Sequence, residues 1–285
     1  MGDLSLKHGS KNSELIEIKE NHSPSSGLFF KVRRQLHSEL SSFQKIEVFE
    51  NDFFGNILFL DGLVQTSEKD EYFYHEMLTH PAFMSHPAPE KCVIVGGGDG
   101  GTLKEVLRYP LKKVWLVEID RRVIEVCQKY FPWLNESLKD KRTELVTADG
   151  NEFIVTTEEK FDVFLIDSSE PVGPSSVLHG REFYRKLKQC LNPGGIIVAQ
   201  AGSPIFHLEH LKEKAQLLKD IYPIVHFFCG PVPTYPGGSW CYVFLSESRL
   251  PWDVEHTPPA GLKYYTTEIH RAAFALPGFM KDLSS

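Results

Sequence analysis

The sequence predicts an α/β protein: a doubly wound, mostly parallel, Rossmann-like sheet preceded by a small antiparallel β region. Three observations carry this expectation. From Lys91 onward, short apolar runs alternate with helix-patterned segments, as in a parallel sheet covered on both faces. The first of these runs ends in a cluster of glycines, and the next three end at acids. The first 66 residues instead carry short β-branched and aromatic stretches separated by turn residues. The expected division is a β domain over residues 1–66 and a Rossmann-like domain over 67–285.

Taken in order, residues 29–33, 45–50 and 57–60 read as strands of the β domain, with turn signals at 24–27, 51–52 and 61–62. Residues 1–13 have no periodicity and are expected to form a flexible tail. Residues 68–80 read as a helix, and His86-Pro87-Ala88-Pro89 supplies a break after it. Then come a strand at 92–95, the glycine loop at 96–101 with a helix to about Arg108, a strand at 114–117, and a helix at 121–130. Strands at 144–147 and 163–166, a helix at 182–191 stopped by Asn192-Pro193-Gly194-Gly195, and a strand at 196–199 complete the reading.

Composition narrows the function. The formal net charge of -7 disfavours nucleic acid, whose phosphates demand a Lys and Arg excess. No apolar run approaches the ~18 residues of a membrane span, and the polar first 20 residues lack a secretory signal. The five cysteines are scattered without a CxxC spacing; they read as reduced thiols of a cytoplasmic protein, with a single disulfide left open. Cys92 and Cys127 read as core packing.

The chemistry is concentrated at the strand ends. Ligands of such sheets bind beyond the carboxyl ends of the strands, and Asp99, Glu118, Asp149 and Asp167 all fall there, with Glu170 close behind. A single acid there is equally well a helix cap; four are a constellation. Gly96, Gly98 and Gly101 satisfy G-x-G-x-x-G, and Glu118 follows at the distance of a dinucleotide fingerprint. Asp99 argues against a dinucleotide, because a carboxylate 4 Å from a phosphate charge costs ~4 kcal/mol at an effective dielectric near 20. An adenosine ligand that lacks phosphates and carries positive charge fits better. S-adenosylmethionine suits a small-molecule methyltransferase, but its carboxylate would oppose Asp99. The decarboxylated form has only cationic groups there, and a cationic polyamine acceptor would account for the remaining acids.

The ordered set of segments resembles the polyamine aminopropyltransferases, particularly bacterial spermidine synthases, a family with a class I methyltransferase-like fold. The matching segments are LDGLVQT at 60–66, EYFYHEM at 71–77, VGGGDGG at 95–101, VEID at 117–120 and Asp149-Gly150. DSSEPVGP at 167–174, PTYPGG at 233–238 and IHRAAFALP at 269–277 complete them. The resemblance implies transfer of an aminopropyl group from decarboxylated S-adenosylmethionine, a co-substrate, to putrescine or a similar diamine. It implies no metal and no other cofactor, and assembly as a homodimer or homotetramer.

By the same resemblance, Asp99, helped by the Asp167 carboxylate, holds the aminopropyl ammonium, with Gly98 also a donor contact; Glu118 holds the ribose hydroxyls with Gln44 as a second contact, and Asp149 and Gly150 the adenine edge. Gln65 stands near the sulfonium and His75 near the aminopropyl arm. Asp167 and Tyr74 bind and activate the attacking amine. Glu170, Gln200 and Tyr235 line the acceptor channel, and residues 168–180 form a loop that closes over the substrates. Two positions depart from the family pattern. Glu170 replaces the commoner Asp, which leaves the preferred diamine open, and Ile18 replaces a Trp before Glu20, the expected anchor of the far ammonium.

Overall fold

A computed structural model describes residues 15–168 and 180–284. Strands β1 (Ile16–Ser23) and β2 (Ser26–Val32) form an antiparallel hairpin. Strands β3 (Arg34–Leu40), β4 (Lys45–Asn51), β5 (Gly55–Leu60) and β6 (Leu63–Ser67) form a four-stranded antiparallel sheet. Phe59 gathers this layer, meeting Phe49 and Phe30 edge-on at centroid distances of 5.5 and 5.7 Å, the geometry aromatic quadrupoles favour.

Helix α1 (Glu71–Ser85) joins this layer to the second. It starts three residues later than the sequence suggests and ends five residues later, running through Pro81 to the expected break at His86. A proline in a helix interior removes a backbone donor and costs ~3 kcal/mol. Here Ala82, Phe83 and Met84 beyond it are buried in the core, so burial outweighs the lost bond.

The large sheet is built from β7 (Lys91–Gly96), β8 (Lys113–Glu118), β9 (Thr143–Thr147), β10 (Phe161–Asp167), β11 (Leu191–Gly202), β12 (Ile224–Pro231) and β13 (Ser239–Ser246). Its order is β12-β13-β11-β10-β7-β8-β9, parallel except for β13, which runs antiparallel to both its neighbours. Helices α2 (Gly101–Val106), α3 (Arg121–Tyr130), α4 (Pro132–Lys139), α5 (Gly150–Thr156), α6 (Arg181–Cys190), α7 (Leu208–Lys219) and α8 (Thr267–Ala273) complete the fold. The strands alternate between two cores, as a period of two requires. Ile94, Leu116, Leu165 and Val198 enter one core, together with buried Cys92 and Cys127; Val93, Val95, Val117, Phe164 and Ile166 enter the other. No helix among the described residues is long and apolar enough to cross a membrane.

The mostly parallel sheet and the antiparallel N-terminal region are as expected. Elements β1, β3, β6, α4, α5, α7, β12, β13 and α8 have no counterpart in the sequence reading. β1 and β3 are largely exposed and polar, so hydrophobic alternation is faint. β13 is buried along nearly its whole length and carries no alternation at all. The expected tail at 1–13 lies outside the described residues.

Candidate active site

From β7 the chain winds outward through β8 and β9, then returns to place β10 on the other side of β7. This reversal opens a crevice at the carboxyl ends of β7 and β10, where an open α/β sheet receives its ligand. Gly96 pairs in register with Asp167, and the Gly97 N–H donates to the Asp167 carbonyl at 3.0 Å. Gly96 adopts φ 83°, and a Cβ there would lie 2.2 Å from the Asp167 carbonyl oxygen. Only glycine allows this approach.

The Asp167 side chain faces the crevice. It accepts from the Tyr74 hydroxyl at 2.7 Å on Oδ1 and from Thr102 Oγ1 at 2.6 Å on Oδ2. Burial, then the neighbouring Asp99 charge, push its carboxyl above the ordinary range, although His75, Thr102 and Tyr74 pull the other way. Burial and the charge of Asp167 push Tyr74 well up, so it remains a phenol and a donor. Its oxygen keeps a lone pair for a second donor.

Asp99 is held from behind. Its Oδ1 accepts from the Gly101 N–H at 2.8 Å, and its Oδ2 lies 3.3 Å from His75 Nε2. His75 Nδ1 lies 3.0 Å from Glu71, which Lys104 Nζ approaches to 2.6 Å. Burial would lower the imidazole, but Asp99 and Glu71 outweigh it and raise His75 to about 10; it is an imidazolium between two carboxylates. Burial likewise works against Asp99, and the imidazolium with the Gly101 N–H more than offsets it, leaving Asp99 below its usual range. The third glycine of the loop serves this contact: a Cβ on Gly101 would sit 2.1 Å from the His75 ring. Asp99 is therefore an ion-paired carboxylate, which softens the repulsion invoked above against a phosphate.

Glu118 closes the other flank. It is buried, accepts from the Asp120 N–H at 2.9 Å, and is raised by burial to about 7. Asp120 caps α3 through the Arg122 N–H and also accepts from Ser41 Oγ at 2.6 Å and Gln44 Nε2 at 3.1 Å. Gln44 thereby reaches the crevice from the N-terminal sheet. Asp149 caps α5, accepting from the Asn151 N–H at 2.7 Å. The cap reading and the wall reading hold together for this acid.

These groups surround a cavity of about 300 Å³, at the lower end of the range for small-molecule sites. Gln44, Gln65, Tyr74, Gly98, Asp99, Glu118, Asp149, Gly150, Asp167, Gln200 and Tyr235 all line it. His75 does not; it stands behind Asp99. Glu170 and most of the expected closing loop lie outside the described residues. Tyr235 donates to the Gln65 carbonyl at 2.6 Å, and Gln200 Nε2 donates to the Ser168 carbonyl at 2.8 Å. Glu20, on β1, accepts from the Val64 N–H at 3.0 Å and also lines the cavity, despite Ile18 in place of the expected Trp. Sequence reading missed Thr102, Trp240 and His207. Thr102 had one signal, its place directly after the third glycine. Trp240 and His207 stand in unassigned stretches and had none.

Fold and site together define a Rossmann-like protein of the class I methyltransferase type, with a carboxylate-lined cavity at its switch point. Residues 71–253 match the spermine/spermidine synthase domain, and residues 17–68 match the spermidine synthase tetramerisation domain. A polyamine aminopropyltransferase of Shouchella clausii is 43% identical over 260 residues, covering 90% of this chain and 94% of that protein. One from Bacillus subtilis is 42% identical over 267 residues, covering 93% and 97%. Among solved structures, a spermidine synthase in complex with the transition-state analogue AdoDATO superposes with a TM-score of 0.91 at 36% identity, covering 98% of each chain. That of Thermotoga maritima gives 0.90 at 36% identity, covering 98% and 97%. The chain belongs to the spermine/spermidine synthase family, and its chemistry is aminopropyl transfer.

Proposed function

We propose that the chain transfers the aminopropyl group of decarboxylated S-adenosylmethionine to putrescine, giving spermidine and 5'-methylthioadenosine. The observation that carries this reading is the position of Asp167. Its carboxylate stands in the crevice with Tyr74 and Thr102 bound to it and Asp99 nearby, in a cavity continuing to Gln200, Tyr235 and Glu20. Such a cavity suits two cations lying end to end.

Glu118 and Gln44 hold the ribose hydroxyls, Asp149 and Gly150 the adenine edge, and Gln65 the region of the sulfonium. Asp99 holds the aminopropyl ammonium. His75 acts indirectly, fixing the Asp99 carboxylate. The leaving group is a neutral thioether and requires no proton. The nucleophile does require one to be removed, because an alkylammonium with a pKa of about 10.4 has no lone pair. Asp167 binds the incoming ammonium and takes its proton, with the Tyr74 oxygen accepting a second hydrogen of the same nitrogen. The raised Asp167 carboxyl is the better base for it. The amine then attacks the carbon beside sulfur; the C–N bond forms as the C–S bond breaks. Holding both substrates in line contributes ~7–11 kcal/mol, so placement outweighs proton transfer.

The far ammonium of the diamine fits at Glu20. Incubation with decarboxylated S-adenosylmethionine and a panel of diamines, with products identified by mass, tests the reading. Spermidine as the dominant product supports it; transfer of a methyl group, or none, removes it.

We further propose a homotetramer built through the N-terminal strands. Residues 17–68 match the spermidine synthase tetramerisation domain, and within them Phe29 on β2 and Leu40 on β3 are 62% and 80% exposed. Light scattering of the full chain should give four copies, and Phe29→Asp should yield a smaller species.

A further inference from the structure

Cys229 and Cys241 face each other on adjacent antiparallel strands, directly paired in register. A directly opposed pair places its Cα atoms about 4.5–5.5 Å apart, inside the range a disulfide spans. Both are free thiols, and their Sγ atoms are 2.7 Å apart. The other three cysteines lie elsewhere: Cys92 and Cys127 in one core, and Cys190 against the Ile154 carbonyl. β12 is the last strand of the sheet, so Cys229 is partly exposed whereas Cys241 is buried. Burial and the Cys229 contact push the Cys241 thiol up, which leaves Cys229 as the sulfur a solvent oxidant meets first. The next residue before Cys241 is Trp240, part of the cavity wall.

We propose that Cys229 and Cys241 form a reversible intrachain disulfide when the chain meets hydrogen peroxide, fastening the strand that carries Trp240 to the sheet edge. The Cys229 thiolate attacks the peroxide; an S–O bond forms, the O–O bond breaks, and one water leaves after protonation. The Cys241 sulfur then attacks the Cys229 sulfenic acid. The S–S bond forms, the S–O bond breaks, and the hydroxide takes the Cys241 proton and departs as a second water. Two thiols lose two protons and two electrons, and one hydrogen peroxide becomes two waters. A small dithiol reverses the change. This state is transient in a reducing compartment.

The full-length chain is treated with hydrogen peroxide, quenched, alkylated under denaturing conditions, and read by intact mass and peptide mapping. The expected result is loss of two of the five thiols, a mass lower by two hydrogens, and one linked peptide joining positions 229 and 241. Dithiothreitol should restore all five. Cys229→Ser should lose no pair, and Cys241→Ser should halt at a Cys229 sulfenic acid captured by dimedone. Near-ultraviolet circular dichroism verifies that each variant keeps the fold. A wild-type chain that keeps five thiols overturns the proposal. So does Cys229 oxidised to a sulfinic acid without a linked peptide, or a pair still lost in Cys229→Ser.

Discussion

Asp167 and Glu118 are both pushed toward their protonated forms by burial, yet they stand at different ends of the reaction and answer to different tests. Asp167→Asn removes the proton acceptor while keeping the side-chain shape. Turnover should fall by about 10²–10⁴-fold, with donor affinity by calorimetry close to wild type; near-normal turnover would take Asp167 out of the proton path. Glu118 binds ribose hydroxyls best as a carboxylate. Because its carboxyl is raised to about 7, donor affinity should rise as pH climbs from 6 to 8. Stability of the free chain runs the opposite way. A carboxyl raised on folding contributes stability that is full below about 4.5 and is lost as pH rises through about 7. Glu118→Gln should weaken the donor by about ten- to a hundredfold, through loss of one charge-assisted hydrogen bond, and flatten both pH profiles. A pH step that survives in Glu118→Gln would assign it to another group. At this scale the sequence was informative about which acids matter. It could not show that Asp99 has a cation behind it, because His75 comes from α1, outside the glycine loop and its helix.

Helix α1 shows the same division at the scale of an element. Its EYFYHEM segment placed Tyr74 and His75 on a helix, but not why the helix extends through Pro81 or what holds its outer face. Glu76 supplies the answer. Its buried carboxylate accepts from three successive backbone N–H groups, Lys263 at 2.8 Å, Tyr264 at 2.9 Å and Tyr265 at 2.7 Å, clasping the C-terminal segment to α1. Tyr265 in turn bonds His270 of α8. Glu76→Gln places amide hydrogens against N–H donors, leaving buried donors unpaired. The expected cost is about 2–4 kcal/mol, read as a lower melting temperature. Turnover of the remaining folded fraction should change little, because Tyr74 is fixed independently by Asp167. An unchanged melting temperature would mean that the clasp contributes nothing. The carboxyl ends of β7, β8, β9 and β10 were legible because β8 and β10 end in an acid, β9 stops just before Asp149, and β7 runs into the glycine loop that carries Asp99. β13 was not, since a strand buried along nearly its whole length lacks the alternation that would announce it, and neither was half-buried β12, which no glycine loop or acid marks.

For the whole molecule, the cavity is a seam between the N-terminal β region and the large sheet, which the sequence could describe only separately. Gln44 comes from the β3–β4 connection, Gln65 from β6 and Glu20 from β1, and the contacts that hold two of them are distant in the chain. Gln44 is tied to Asp120 across 76 positions, and Gln65 to Tyr235 across 170. Separations of that size leave no local pattern, so only the resemblance to a family proposed these residues. The seam has a pin that can be removed. Asp120 caps α3 and simultaneously accepts from Ser41 and Gln44, so Asp120→Ala combines two losses. The missing cap should cost about 0.5–2 kcal/mol of stability, and the released Gln44 should weaken the donor by about tenfold, the worth of one hydrogen bond. Gln44→Ala separates these effects, since it keeps the cap. If the seam positions the donor, both variants weaken donor binding alike, only Asp120→Ala lowers the melting temperature, and turnover at saturating donor stays within about twofold in each. Unchanged donor affinity in both would reduce Gln44 to a wall residue and leave the large sheet to bind the nucleoside alone.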